Sequence, residues 1–195
     1  MLKKVVEYFT NLWYSIFRIG KLRSKLIMKK GYTAIDIANW FLWYNKLKQL
    51  EQVQDNYDVY EGLTHLKIQK LIYYAEGVYS AVTGNYLFND KIFAWIHGPV
   101  VKSVYDKFSK YRKDEIDFDQ NQWSRVKEMN ENPELYNILE TVYNTYAGYT
   151  AWQLREKSHI VGGPWQVTVD TKGMQKEIDK KMIKEYFIKN IVNNE

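Results

Sequence analysis

Apolar residues recur at intervals of three and four along most of this chain, the period that lines one face of an α-helix. Leu2, Val5, Phe9, Leu12, Ile16 and Ile19 make one such seam, with Lys3, Lys4, Glu7, Asn11, Ser15 and Arg18 elsewhere on the wheel. Ile37, Trp40, Phe41, Tyr44 and Leu47 make the next, behind Thr33 and Asp36, which are spaced as a capping box with Asp in the usual Glu position. The pattern breaks over 51–62, a polar and acidic stretch that reads as an exposed connection. Leu66, Leu71, Tyr74, Ala75, Val78 and Val82 then give a helix one broad apolar face, with Thr64 placed to cap its start and Gly84 just past its end.

Beyond Gly84 the pattern changes. Leu87, Phe88, Ile92, Phe93 and Trp95 lie too densely for a solvated loop, and the segments 86–88 and 92–96 suit the two arms of a short β-hairpin. Gly98 permits a turn angle other residues resist, and Pro99 suits the first position of a helix reaching about Tyr111. Asn132-Pro133 opens another helix, with Leu135, Ile138, Leu139, Val142 and Tyr146 as its stripe. Thr150 caps a short helix over 151–159, and Asp179 caps a last one within 178–192. The expected fold is mainly α: a compact single helical domain over 28–195 with at most one short β-hairpin at about 86–96, plus an N-terminal amphipathic helix over 1–27.

Charge alters the reading of the ends. The chain of 195 residues carries a formal +5, but residues 1–30 hold eight Lys and Arg against one Glu, a net +7, which leaves −2 for the remainder. The basic character belongs to the arm, and the domain itself gives no electrostatic support for nucleic-acid binding. Charges interrupt the arm too often for a transmembrane span, and it lacks the small-residue cleavage site of a secretory signal. Three readings stay open: a helix docking on the domain or on a copy of itself, a basic helix lying on an anionic membrane, or a segment upstream of a biological start at Met28. With no cysteine, disulfides, thiolate zinc sites and thiol catalysis are excluded, which suits a cytoplasmic protein.

The chemistry of common enzymes is missing. There is no His-Glu-x-x-His, no Gly-Lys-Ser/Thr phosphate loop and no Gly-x-Ser-x-Gly elbow. His65, His97 and His159 are far apart in sequence and are expected to hold loops to helix ends rather than a metal, and no cofactor is expected. The acids of 114–119 alternate with Ile116 and Phe118, as in a solvated loop with two anchors or an acidic face for a basic partner. Trp95, His97, Gly98, Pro99, Trp152, His159, Pro164 and Trp165 form the candidate constellation. They are either turn and core residues that define the fold or, for the tryptophans, anchors of a protein interface, where Trp is enriched.

Several of these words occur together elsewhere. Leu63-Thr-His-Leu-Lys-Ile-Gln-Lys-Leu-Ile-Tyr-Tyr-Ala-Glu-Gly77, Leu87-Phe88, Ala94-Trp95, Gly98-Pro99-Val100 and Val104-Tyr105 resemble the Panacea domain, the SocA-like antitoxin family, in that order. Ala34–Phe41 resembles the family's opening. Tyr149–Leu154, Ser158-His159 and Pro164-Trp165 resemble its second signature, so the likeness covers roughly 28–192. One departure is that the acidic residue the family often carries before Pro-Trp is absent from Ile160-Val161-Gly162-Gly163. The resemblance implies an antitoxin that binds a cognate toxin protein directly, with delivery of the toxin to a protease as a variant, and no catalytic residue. The alternatives are a phage- or mobile-element-associated protein that binds a host factor, and a hydrolase using His97 and His159.

Overall fold

The computed structural model describes residues 31–55 and 62–192. The seam of the N-terminal arm, and with it the membrane reading, lies outside the described residues. So do 56–61 of the acidic connection.

Among the described residues eight helices and a small sheet form one body. Helix α1 (Ala34–Asp55) begins with the expected box: Asp36 N–H donates to Thr33 Oγ1 at 3.2 Å and Thr33 N–H donates to Asp36 Oδ2 at 2.8 Å. Helix α2 (His65–Thr83) is the axis of the fold. Thr64 caps it, and thirteen of its residues are buried, including Lys67, Gln69, Lys70 and Glu76. A helix enclosed on nearly all sides is a central strut, not a surface helix. On one side α5 (Pro133–Tyr146) stacks Tyr146 on Tyr74 with ring centroids 4.0 Å apart. On another, α8 (Lys180–Phe187) lays the ring of Phe187 where a side chain on Gly77 would otherwise stand, 2.5 Å from the Cβ position.

The sheet departs from the expected hairpin. Strand β1 (Ile92–Trp95) pairs antiparallel with β2 (Gly98–Val101) on one side and with β3 (Glu177–Ile178) on the other, while 86–88 is not a strand. Pro99 therefore sits in a strand and not at a helix start; helix α3 (Lys102–Phe108) begins three residues later. The register explains how a proline is accepted there. Pro99 lies opposite Ala94, whose N–H and C=O are both turned the other way, donating to Lys176 O and accepting from Gln175 N–H at 2.8 Å each. At such a non-hydrogen-bonded pair on an edge strand the missing N–H costs nothing. Ile178 belongs to β3, so the last helix starts at Lys180, after its cap Asp179, and closes in a π-turn over Ile188–Val192.

The remaining helices complete the shell. Helix α4 (Trp123–Asn130) follows the acidic loop, in which Ile116 is buried and donates its N–H to Leu63 O at 3.0 Å. Ile116 and the half-buried Phe118 anchor the loop, and its acids are exposed. Helix α6 (Ala151–Ser158) opens on a complete capping box between Thr150 and Gln153, and α7 (Pro164–Lys172) starts at Pro164. Helices α4 and α7 have too few apolar residues in period to stand out in the sequence.

Candidate functional site

The outer edge of β2 is where the sequence words meet. Val101 points its N–H and C=O away from β1, and Gln69 on α2 takes both: Val101 N–H donates to Gln69 Oε1 at 2.8 Å and Gln69 Nε2 donates to Val101 O at 3.1 Å. Two positions back, Lys70 Nζ donates to Pro99 O at 3.0 Å. Two buried side chains thus replace a neighbouring strand and close an edge that would otherwise be open to another chain. Lys70 is fully enclosed, and burial, helped by the nearby Arg155 charge, lowers its ammonium pKa to about 7.

Above this edge the chain turns through Ile96 and His97. Gly98 absorbs the turn with φ of +101°, and a Cβ there would lie 2.7 Å from both Lys70 Nζ and Ser158 Oγ. Glycine is required at this position both for the angle and for the approach. The second signature packs against the same turn. Trp165, the second residue of α7, is buried and donates its indole N–H to Trp95 O at 2.8 Å. The ring of His159 lies on Trp165 at 3.6 Å between centroids, and its Nδ1–H returns to Arg155 O at 2.6 Å, closing the end of α6. Burial lowers the His159 pKa, and the hydrogen bond to Arg155 O, which a charged ring also makes, acts against that shift. Arg155 reaches Ile96 O at 3.5 Å through Nη2 and spreads its guanidinium over Trp152, 4.7 Å from the ring centroid.

The candidate residues therefore fall into two groups. Trp95, Gly98, Pro99, His159, Pro164 and Trp165 build one corner, buried or half-buried. Trp152 and His97 are exposed on its surface. Trp95 packs edge-on against Tyr105 at 4.8 Å. Sequence reasoning did not single out Gln69, Lys70, Ser158 and Arg155 as site residues, although the first three lie inside the family words. A further signal is that Gln69 and Lys70 interrupt an apolar run, Ile68 to Leu71-Ile72. Among the described residues no set of three His, Asp or Glu side chains is placed to hold a metal, so His65, His97 and His159 do not converge.

What the corner displays is apolar. Ile96 is 65% exposed, Trp152 62%, Ile160 51% and Val161 92%, and these are four of the eight large apolar side chains exposed among the described residues. Ile96 and Trp152 both stand against Arg155, and Ile160 and Val161 follow directly on His159. Ser158 Oγ lies 3.2 Å from His159 Nδ1, and both turn to Arg155 O, at 2.7 and 2.6 Å.

Family comparison agrees with these words. The model of the SocA-like antitoxin, Panacea domain, matches residues 68–166, half of the chain. The chain is also 30% identical over 139 residues to antitoxin SocA of Caulobacter vibrioides (strain NA1000 / CB15N), covering 64% of this chain and 72% of that protein. This chain belongs to the SocA-like antitoxin, Panacea domain family. Membership supports a general role in a toxin–antitoxin module. No solved structure matches the chain. Among the described residues no helix is long and apolar enough to cross a membrane.

Proposed function

We propose that this protein neutralises a cognate toxin by binding it directly, through the corner that exposes Ile96, Trp152, Ile160 and Val161. The observation that carries the reading is that Ile96 and Trp152 both stand against Arg155, with Ile160 and Val161 exposed directly after the His159 that packs on Trp165. The indole bond of Trp165, the His159 stack and the Lys70 contact hold the turn from beneath. A pre-formed apolar patch loses little entropy on docking, so a few anchors can carry most of the affinity. Trp152, with Arg155 over its face, suits such an anchor. The surface uses no reaction; it covers a face of the toxin.

Co-expression with the adjacent open reading frame tests this. The neighbour is expected to be toxic alone, rescued by this chain, and co-purified with it. If no neighbouring gene is toxic and rescued, the chain is an interaction protein for another partner. Toxin lifetime separates sequestration from delivery to a protease: a shielded toxin persists in the rescued cell, whereas a delivered one decays faster than when expressed alone.

A further inference from the structure

A second apolar surface lies on α1 and α4, and the corner does not account for it. Trp43, Leu47 and Leu50 of α1, Phe118 of the acidic loop and Trp123 of α4 line an open groove of about 260 Å³, together with Lys46. Trp43 and Trp123 face one another at 5.9 Å, and Leu50 is 56% exposed. Open indole and leucine surface of this kind wants an apolar occupant.

We propose that the occupant is the chain's own N-terminal segment, with the apolar seam of Val5, Phe9, Leu12 and Ile16 seated in the groove. Three observations carry this. The first is where the described chain begins. Arg125 of α4 donates to Gly31 O at 3.3 Å and lies over the Tyr32 ring at 4.7 Å, so the segment leaves the domain beside α4, two residues from Trp123. The second is reach. The eleven residues 20–30 span up to about 36–40 Å when extended, ample for residues 2–19 to fold back along the α1–α4 face. The third is complementarity. Residues 2–19 have a continuous apolar seam and a net +2, Lys3, Lys4 and Arg18 against Glu7, while Asp117 and Asp119 on either side of Phe118 put exposed acids at the groove. Opposite charge around an apolar contact fixes orientation and favours the intramolecular partner, whose effective concentration is high. This proposal is independent of the toxin reading, since it concerns a different face.

The absence of cysteine makes the test clean. A nitroxide on Ser15→Cys, which lies off the seam, is placed on the full chain, and the indole N–H signals of Trp43 and Trp123 are followed by NMR. Their assignment comes from Trp43→Phe and Trp123→Phe. Both signals are expected to lose most of their intensity while the spin label is active and to recover on its reduction. Phe9→Asp with Leu12→Asp, in the labelled chain, is expected to abolish the loss without changing the rest of the spectrum. Undiminished Trp43 and Trp123 signals overturn the proposal. So does an equal loss when spin-labelled chains are mixed with isotope-labelled chains that carry no nitroxide, which assigns the groove to a second copy.

Discussion

The indole N–H of Trp165 donates to the main-chain carbonyl of Trp95 at 2.8 Å, joining residues 70 positions apart. This bond ties the N-terminal turn of α7 to the last residue of β1. Trp165→Phe keeps most of the ring and removes the donor, leaving the carbonyl without it. The expected cost is about 1–3 kcal/mol, from the lost hydrogen bond and the smaller ring. Urea denaturation of the variant measures it. A loss of this size with an unchanged denaturant slope shows a weakened but intact fold.

Gly98 carries a separate strain. Its φ of +101° and the 2.7 Å approach to Lys70 Nζ and Ser158 Oγ both oppose a side chain. Gly98→Ala is expected to destabilise by about 2–4 kcal/mol, more than either cause alone. Combining it with Lys70→Ala separates the two. The Lys70 part of the steric share is relieved in the double variant, and the double-mutant cycle reads that part as a coupling, whereas the Ser158 contact and the backbone share remain.

Lys70 sets a pH dependence. Its folded pKa of about 7 is below the ordinary value of 10.5, so between pH 7 and 10.5 the unfolded chain holds a proton that the folded chain has released. Stability therefore rises with pH across that window, and the penalty for burying the ammonium is greatest below about pH 7. Lys180, whose pKa is also lowered by burial despite its pairing with Glu76 at 3.4 Å, adds in the same direction. The buried tyrosines Tyr73, Tyr74 and Tyr146, all raised by burial, oppose the trend only above about pH 10. The urea midpoint is expected to increase from pH 7 to 9.5 in the natural chain, and Lys70→Met is expected to flatten most of that slope.

Much of the helical frame was legible because its signals are local. Thr33 with Asp36, Thr64, Asn132, Thr150 and Asp179 each cap a helix from within three residues of its start, and a linear reading finds them. The sheet was not legible, because β1 takes its second partner from β3, more than eighty residues away, and no local pattern marks that pairing. Pro99 misled for a related reason: proline is a helix-start signal unless a register places it at a non-bonded pair, and register is a tertiary fact. Glu76 shows the same limit of a local reading. It is fully buried, with Oε2 accepting the Leu87 N–H at 3.0 Å and Lys180 approaching Oε1, and those partners become visible only once the chain has folded back. The candidate site was half visible. Its tryptophans, glycine and prolines were marked by type, whereas Gln69 and Lys70, which hold the strand edge, were hidden as ordinary polar residues of a helix.

Affinity for the cognate toxin, measured on a folded variant of the corner surface, tests the central claim most directly. Trp152→Glu with Val161→Asp changes two exposed side chains, so thermal stability is expected to stay near that of the natural chain. Loss of an anchor tryptophan and burial of two unpaired charges are expected to weaken toxin binding by about 100-fold or more and to abolish rescue in co-expression. The control, Leu50→Asp in the α1–α4 groove, is expected to bind as the natural chain does. A Trp152→Glu/Val161→Asp protein that binds and rescues normally contradicts the account and moves the toxin contact to another face.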